Sequence, residues 1–271
     1  MADNKSIGVF DSGLGGLTVV RELLSYLPNE EIVYFGDTGR VPYGGRSDET
    51  IIKYAMQDER FLLDQGVKLI IAACGTVSSV AAHTGKSLPV PFIEVVTPAA
   101  QAAVEATKNK KIGVIGTSAT VKSGAYEKKI KSFCENAEVF SADCPIFVPL
   151  VEAGWIEKGD VVTRETVQRY LQPLKEKGVD TLILGCTHYP VLSDFISEFM
   201  GEDVTLINTG LTAALHTAEF MRENGLLCER DMPPKHHYFV SDHTDSFTKV
   251  ANILLGQNIN GAVSRVSVTK Y

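Results

Sequence analysis

Thr181-Leu182-Ile183-Leu184-Gly185-Cys186-Thr187-His188-Tyr189-Pro190 is an apolar run of the kind that forms a buried parallel strand. It is stopped by a glycine and followed at once by a thiol, a hydroxyl and an imidazole. An earlier stretch repeats the pattern. Lys68-Leu69-Ile70-Ile71-Ala72-Ala73-Cys74-Gly75-Thr76 places Cys74 where Cys186 stands, each at the C-terminal end of a hydrophobic strand with a threonine one or two positions on. Two cysteines in matching settings, far apart in the chain, are what any functional interpretation has to explain.

Outward from these strands, apolar runs alternate with amphipathic stretches, the pattern of an α/β protein with mainly parallel sheets. Strands are expected at Ile7–Phe10, Glu31–Phe35, Leu69–Ala73 and Phe92–Val96, with helices over Leu17–Leu27 and Asp48–Gln65. The pattern then restarts. Lys5-Ser6-Ile7-Gly8-Val9-Phe10-Asp11-Ser12 is echoed by Lys110-Lys111-Ile112-Gly113-Val114-Ile115-Gly116-Thr117, and 31–37 more weakly by 137–143. The cysteine strands follow, and 91–97 is answered by 203–209. Four matches in one order predict two pseudo-symmetric α/β lobes, residues 1–97 plus 208–271 and residues 98–207. His237–Ser241 reads as a strand and Ser246–Leu255 as a helix, both returning to the first lobe.

The chain has 271 residues, enough for two cores, with a hydrophobic fraction of 44%, a charged fraction of 22% and a net charge of -7. That balance speaks against a nucleic-acid or anionic-membrane surface. No signal-peptide pattern opens the chain and no apolar run is long enough to span a bilayer, so a cytoplasmic protein is expected. Five cysteines do not make a disulfide framework, and no Cys/His spacing suggests a zinc site.

Ligands of open α/β sheets bind beyond the carboxyl ends of the strands. Two lobes facing one another would bring Cys74 and Cys186 to one ligand from opposite sides. Paired thiols in that geometry suit removal of a proton from one face of a carbon and delivery of another to the opposite face, and helix N-termini help such a thiol ionise. A lone cysteine at a strand end is most often core, and Cys134, Cys144 and Cys228 are read that way. For Cys74 and Cys186 the duplicated setting reverses the default. The turn Gly13-x-Gly15-Gly16 lacks the third spaced glycine of a dinucleotide fingerprint, although Asp37 lies near the spacing of a ribose-binding acid. Glu152, ahead of Gly154-Trp155, suits a turn cap as well as a functional carboxylate, and Pro42-Tyr43-Gly44-Gly45 suits a β-turn. His236, His237 and His243 belong to a loop and a surface strand.

Several motifs taken together resemble the glutamate racemases, cofactor-independent enzymes of the aspartate/glutamate racemase superfamily. They are Asp11-Ser12-Gly13-Leu14-Gly15-Gly16, Gly36-Asp37-Thr38, Pro42-Tyr43-Gly44, Gly116-Thr117-Ser118-Ala119-Thr120, Val148-Pro149-Leu150-Val151-Glu152 and Leu184-Gly185-Cys186-Thr187-His188-Tyr189-Pro190. The resemblance implies interconversion of L- and D-glutamate by two cysteine bases without pyridoxal phosphate or metal, Cys74 working on the D-enantiomer and Cys186 on the L-enantiomer. It implies that Asp11 assists the first thiol, that His188 with Glu152 assists the second, and that Ser12, Tyr43, Gly44, Gly75, Thr76 and Thr187 join Asp11 and His188 around the substrate. It also implies a bacterial cytoplasmic homodimer whose product enters peptidoglycan, with glutamate as ligand and neither nucleic acid nor membrane as partner. Two positions depart from the family pattern. Gly75 replaces an asparagine whose side chain can donate to a carboxylate, leaving the backbone N–H, or Ser78 or Ser79, to serve instead. Asn208 stands where an acidic residue is usual. Three alternatives remain open at the level of sequence: another acidic amino acid such as aspartate as substrate, a nucleotide-binding oxidoreductase, and a racemase-like binding protein without turnover.

Overall fold

The computed structural model describes residues 4–229, 233–242, 247–256, 259 and 263–271. Among these, ten strands form two sheets: β1 (Ile7–Asp11), β2 (Ile32–Gly36), β3 (Leu69–Ala72), β4 (Phe92–Glu94), β5 (Lys111–Gly116), β6 (Glu138–Asp143), β7 (Thr181–Leu184), β8 (Thr205–Asn208), β9 (His237–Val240) and β10 (Val263–Arg265). The first sheet runs β10-β9-β2-β1-β3-β4 and the second β6-β5-β7-β8, with every pairing parallel. The order β2-β1-β3-β4 is therefore repeated as β6-β5-β7-β8. The internal repeat seen in the sequence is a repeat of topology. Strands β1, β2, β3 and β7 are buried along their whole length, which is why they read as unbroken apolar runs rather than alternating ones.

The fourth strand is shorter than its sequence pattern predicts. The Glu94 carboxylate accepts from the backbone N–H groups of Val96 and Thr97, so helix Val96–Ala106 starts where the expected strand would have continued. That helix packs on β7 and β8, and helix Thr209–Glu223 packs on both it and helix Leu17–Tyr26, bridging the helical layers of the two sheets. After this bridge the chain returns to the first sheet as β9 and β10. The helix that follows β9 is described over Phe247–Leu255, while Ser246 and His243 lie outside the described residues. No described helix is long and apolar enough to cross a membrane.

Asp37, just beyond β2, organises the loop that leads to the cavity. It is fully buried, and its carboxylate accepts from Arg40 Nε, from the Tyr43 hydroxyl and, at 2.7 Å, from Ser241 Oγ after β9. Arg40 also reaches Asp58 on helix Asp48–Asp64 at 3.0 Å, and its guanidinium lies 4.0 Å from the centre of the Tyr54 ring.

Asn208 has a local explanation. Its side chain caps helix Thr209–Glu223, accepting from the N–H groups of Gly210 and Leu211 at 2.9 and 3.3 Å, a task that an aspartate performs equally well. Asn208→Ala is expected to lower stability by about 1 kcal/mol in a denaturant titration, and Asn208→Asp to leave it within about 0.5 kcal/mol of the parent.

Candidate active site

In both sheets the strand order reverses direction between the first and third strands of the repeat, between β1 and β3 and between β5 and β7. Crevices form beyond the carboxyl ends at such points. The two crevices face each other and enclose one cavity of about 470 Å³, within the range of small-molecule sites. Its wall includes Ser12, Tyr43, Gly44, Cys74, Gly75 and Thr76 from the first half, and Glu152, Cys186, Thr187 and His188 from the second. Of the residues that the resemblance assigns to catalysis or substrate binding, only Asp11 is missing from that wall. It lies behind it, at the end of β1, with one oxygen accepting from the Gly13 N–H at 3.0 Å and the other facing Thr187 Oγ1 at 3.5 Å.

Cys74 follows β3 and occupies the cap position of helix Gly75–Val80 with extended backbone, which turns its thiol out of the sheet. The sulfur lies 3.4 Å from Ser12 Oγ. Burial, followed by the negative charge of Asp11, pushes the thiol up to about 12, the Ser12 and backbone contacts offsetting only part of this. These surroundings hold Cys74 in its protonated form at neutral pH. Burial raises the Asp11 carboxyl as well, against the charge of His188 and the N–H groups of Gly13 and Gly16.

The second thiol has different neighbours. Cys186 Sγ lies 4.0 Å from His188 Nδ1, and His188 Nε2 lies 3.1 Å from Glu152 Oε1 on helix Phe147–Ala153. Burial disfavours the imidazolium, but the contacts with Cys186 and Glu152 outweigh it and carry His188 up to about 10. At neutral pH a cation thus sits beside Cys186. Glu152 is this imidazole's partner rather than the cap of a turn.

Three expectations need adjustment at the level of side chains. The Tyr43 hydroxyl points away from the cavity into Asp37 and, at 3.1 Å, Asp58, so what Tyr43 lends the cavity is its ring and backbone. Ser78 cannot stand in for an asparagine at position 75. Its hydroxyl donates to Ala72 O and accepts from Val95 N. Ser79 Oγ is buried without a hydrogen-bond partner among the described residues and does not line the cavity. In the other direction, Thr117 and Ser118 line the cavity without having been singled out as site residues. Thr117 Oγ1 meets Thr76 Oγ1 across the cleft at 2.9 Å. The repeat carried the signal, because it aligns Thr117 with Ser12. Among the described residues no cluster of His, Cys, Asp and Glu side chains is arranged to hold a metal ion.

The folded-state His188 lies above the ordinary imidazole value of 6.5, so its charge stabilises the fold fully below that value. The contribution fades as pH rises through about 10. The ring protons of His188 in an NMR titration are expected to stay in the charged form through neutral pH, and Glu152→Gln to move the midpoint downward. A midpoint near 6.5 in the parent chain would contradict the assigned pairing.

Residues 23–217 match the model of the Asp/Glu/hydantoin racemase family. The glutamate racemase of Geobacter metallireducens is 44% identical over 265 residues, covering 97% of each chain. Among solved structures, the glutamate racemase of Francisella tularensis in complex with D-glutamate superposes with a TM-score of 0.92 at 38% identity, covering 99% of this chain and 100% of that one. Glutamate racemase isoform RacE1 from Bacillus anthracis gives the same TM-score and identity over 98% of each chain.

Proposed function

The chain belongs to the Asp/Glu/hydantoin racemase family, and we propose that it interconverts L- and D-glutamate, with Cys74 and Cys186 exchanging the Cα proton from opposite sides. The observation that carries this assignment is the single cavity into which two equivalent strand ends, one from each sheet, deliver one cysteine apiece. The relatives named glutamate racemase, one of them with D-glutamate bound, support the choice of substrate.

The two thiols have unlike surroundings. Burial pushes the Cys74 thiol up, while Cys186 Sγ lies 4.0 Å from Nδ1 of His188. Cys186 as thiolate removes the Cα proton of L-glutamate and becomes a thiol. The Cys74 thiol then gives its proton to the opposite face and becomes a thiolate, leaving D-glutamate. The reverse reaction starts from that exchanged state. This polarity agrees with the family pattern, in which the second cysteine serves the L-enantiomer. Asp11 acts on Cys74 through charge, and Glu152 holds His188 in place. The hydroxyls of Ser12, Thr76 and Thr187 line the cavity and offer hydrogen bonds to the substrate's carboxylates and ammonium. The same assignment makes the chain a cytoplasmic source of D-glutamate for peptidoglycan, acting as a homodimer.

Proton NMR in deuterated water tests this directly. Each glutamate enantiomer is expected to lose its Cα proton signal as the opposite enantiomer appears, with no cofactor added. Cys74→Ala and Cys186→Ala are each expected to cut the rate by about 10²- to 10⁴-fold or more while remaining folded. Full activity in either variant, or exchange from aspartate and not from glutamate, would overturn the assignment.

A further inference from the structure

Gly75, one of the two residues that depart from the family pattern, sits where the backbones of the two halves come close together beside the thiols. A Cβ built on it falls 2.1 Å from the carbonyl oxygen of Gly185, 3.1 Å from its carbonyl carbon and 3.7 Å from Cα of Cys186. All three are main-chain atoms and cannot swing aside as a side chain would. Gly185 has no slack of its own. Its N–H donates to Ile115 O at 2.7 Å, and a Cβ on Gly185 would lie 2.6 Å from that same oxygen. Any side chain at position 75 therefore requires main-chain atoms to shift by about 1 Å, the step that brings the contact to 3.0 Å. A second contact across the cleft is also tight. A Cβ on Gly44 would fall 2.7 Å from that of Thr117, and Ala119 N donates to Gly44 O at 3.1 Å.

We propose that Gly75 sets the spacing between the two thiol-bearing strand ends, and through it restricts the cavity to a short dicarboxylic amino acid, an inference that rests on the racemase assignment above. A residue with a side chain here would trade a possible carboxylate contact for misplacement of Cys186 relative to Cys74. Supplying the asparagine usual in the family would then be harmful in this chain, because its Cβ meets the Gly185 carbonyl before its amide can reach a ligand.

The test compares kcat/KM for glutamate and for 2-aminoadipate, one methylene longer, in the parent chain and in Gly75→Ala. The ratio of the two constants does not depend on how much of a variant is folded. For Gly75→Ala, kcat/KM for glutamate is expected to fall roughly a hundredfold, as a 1 Å misplacement of reacting groups does. The longer substrate is expected to lose less, so that the ratio shifts at least tenfold in its favour. Gly75→Asn should show the same shift with no gain on glutamate. An unchanged ratio in Gly75→Ala, or a Gly75→Asn chain as active on glutamate as the parent, would overturn the spacing role. A parent chain that inverts neither amino acid overturns the racemase assignment and this inference with it, whereas an active parent with an unchanged ratio overturns only the inference. Should Gly75→Ala yield no folded protein, Gly44→Ala probes the same spacing at its contact with Thr117. A ratio shifted toward the longer substrate there upholds the proposal, and an unchanged one overturns it.

Discussion

At Gly75 the first half of the molecule approaches the Gly185 carbonyl of the second so closely that no methyl group fits between them. The rest of the site depends on that contact, since the two cysteines follow β3 and β7 and neither strand belongs to the other's sheet. The halves are tied together on every side of the cavity by bonds that require the same spacing. Thr18 Oγ1 donates to Thr187 O at 2.8 Å, the Thr76 and Thr117 hydroxyls meet, and Gly44 accepts from the backbone of residue 119. The interface is thus part of the site itself.

A repeated scaffold gives the two thiols unlike neighbours. Topology supplies the symmetry, β2-β1-β3-β4 against β6-β5-β7-β8, and with it an approach from two sides. Sequence then breaks the symmetry. Asp11 ends β1 where Gly116 ends β5, so one thiol has a buried carboxyl behind it and the other does not. The second is followed two residues on by His188, which pairs with Glu152, where the first is followed by Gly75 and Thr76. Two side chains of one chemical type thus stand in unlike electrostatic settings, Cys74 in front of the Asp11 carboxyl and Cys186 beside the His188 ring.

Much of the architecture was legible in the sequence because burial on both faces of a parallel sheet leaves a periodicity that needs no tertiary knowledge. The cysteine strands, the four-part repeat and the return of the chain to the first sheet through β9 all follow from local patterns. Strand ends were less so. Nothing in 92–96 announces that Glu94 will turn its carboxylate onto the next helix. Side-chain direction was legible least of all. That Tyr43 turns its hydroxyl inward depends on Asp58, on a separate helix, and that Glu152 pairs with His188 depends on two elements meeting in space. Gly75 and Asn208 looked like anomalies for the same reason. One is explained by the approach of a remote backbone, the other by the cap that it provides, and neither neighbour is visible in a window of sequence.

The anchoring of Asp37 has a bearing on how the molecule is made. Its carboxylate is completed by Ser241, 204 residues later, and Thr38 is tied to Asp242 across the same interval. During synthesis from the N-terminus, at about 5–20 residues per second, the loop carrying Tyr43 and Gly44 waits on the order of 10 seconds or more for the segment that fastens it. Both cysteine strands have left the ribosome by then, so the thiols are in place before the wall opposite them is secured. A segment that emerges late thus fastens a loop that was made early.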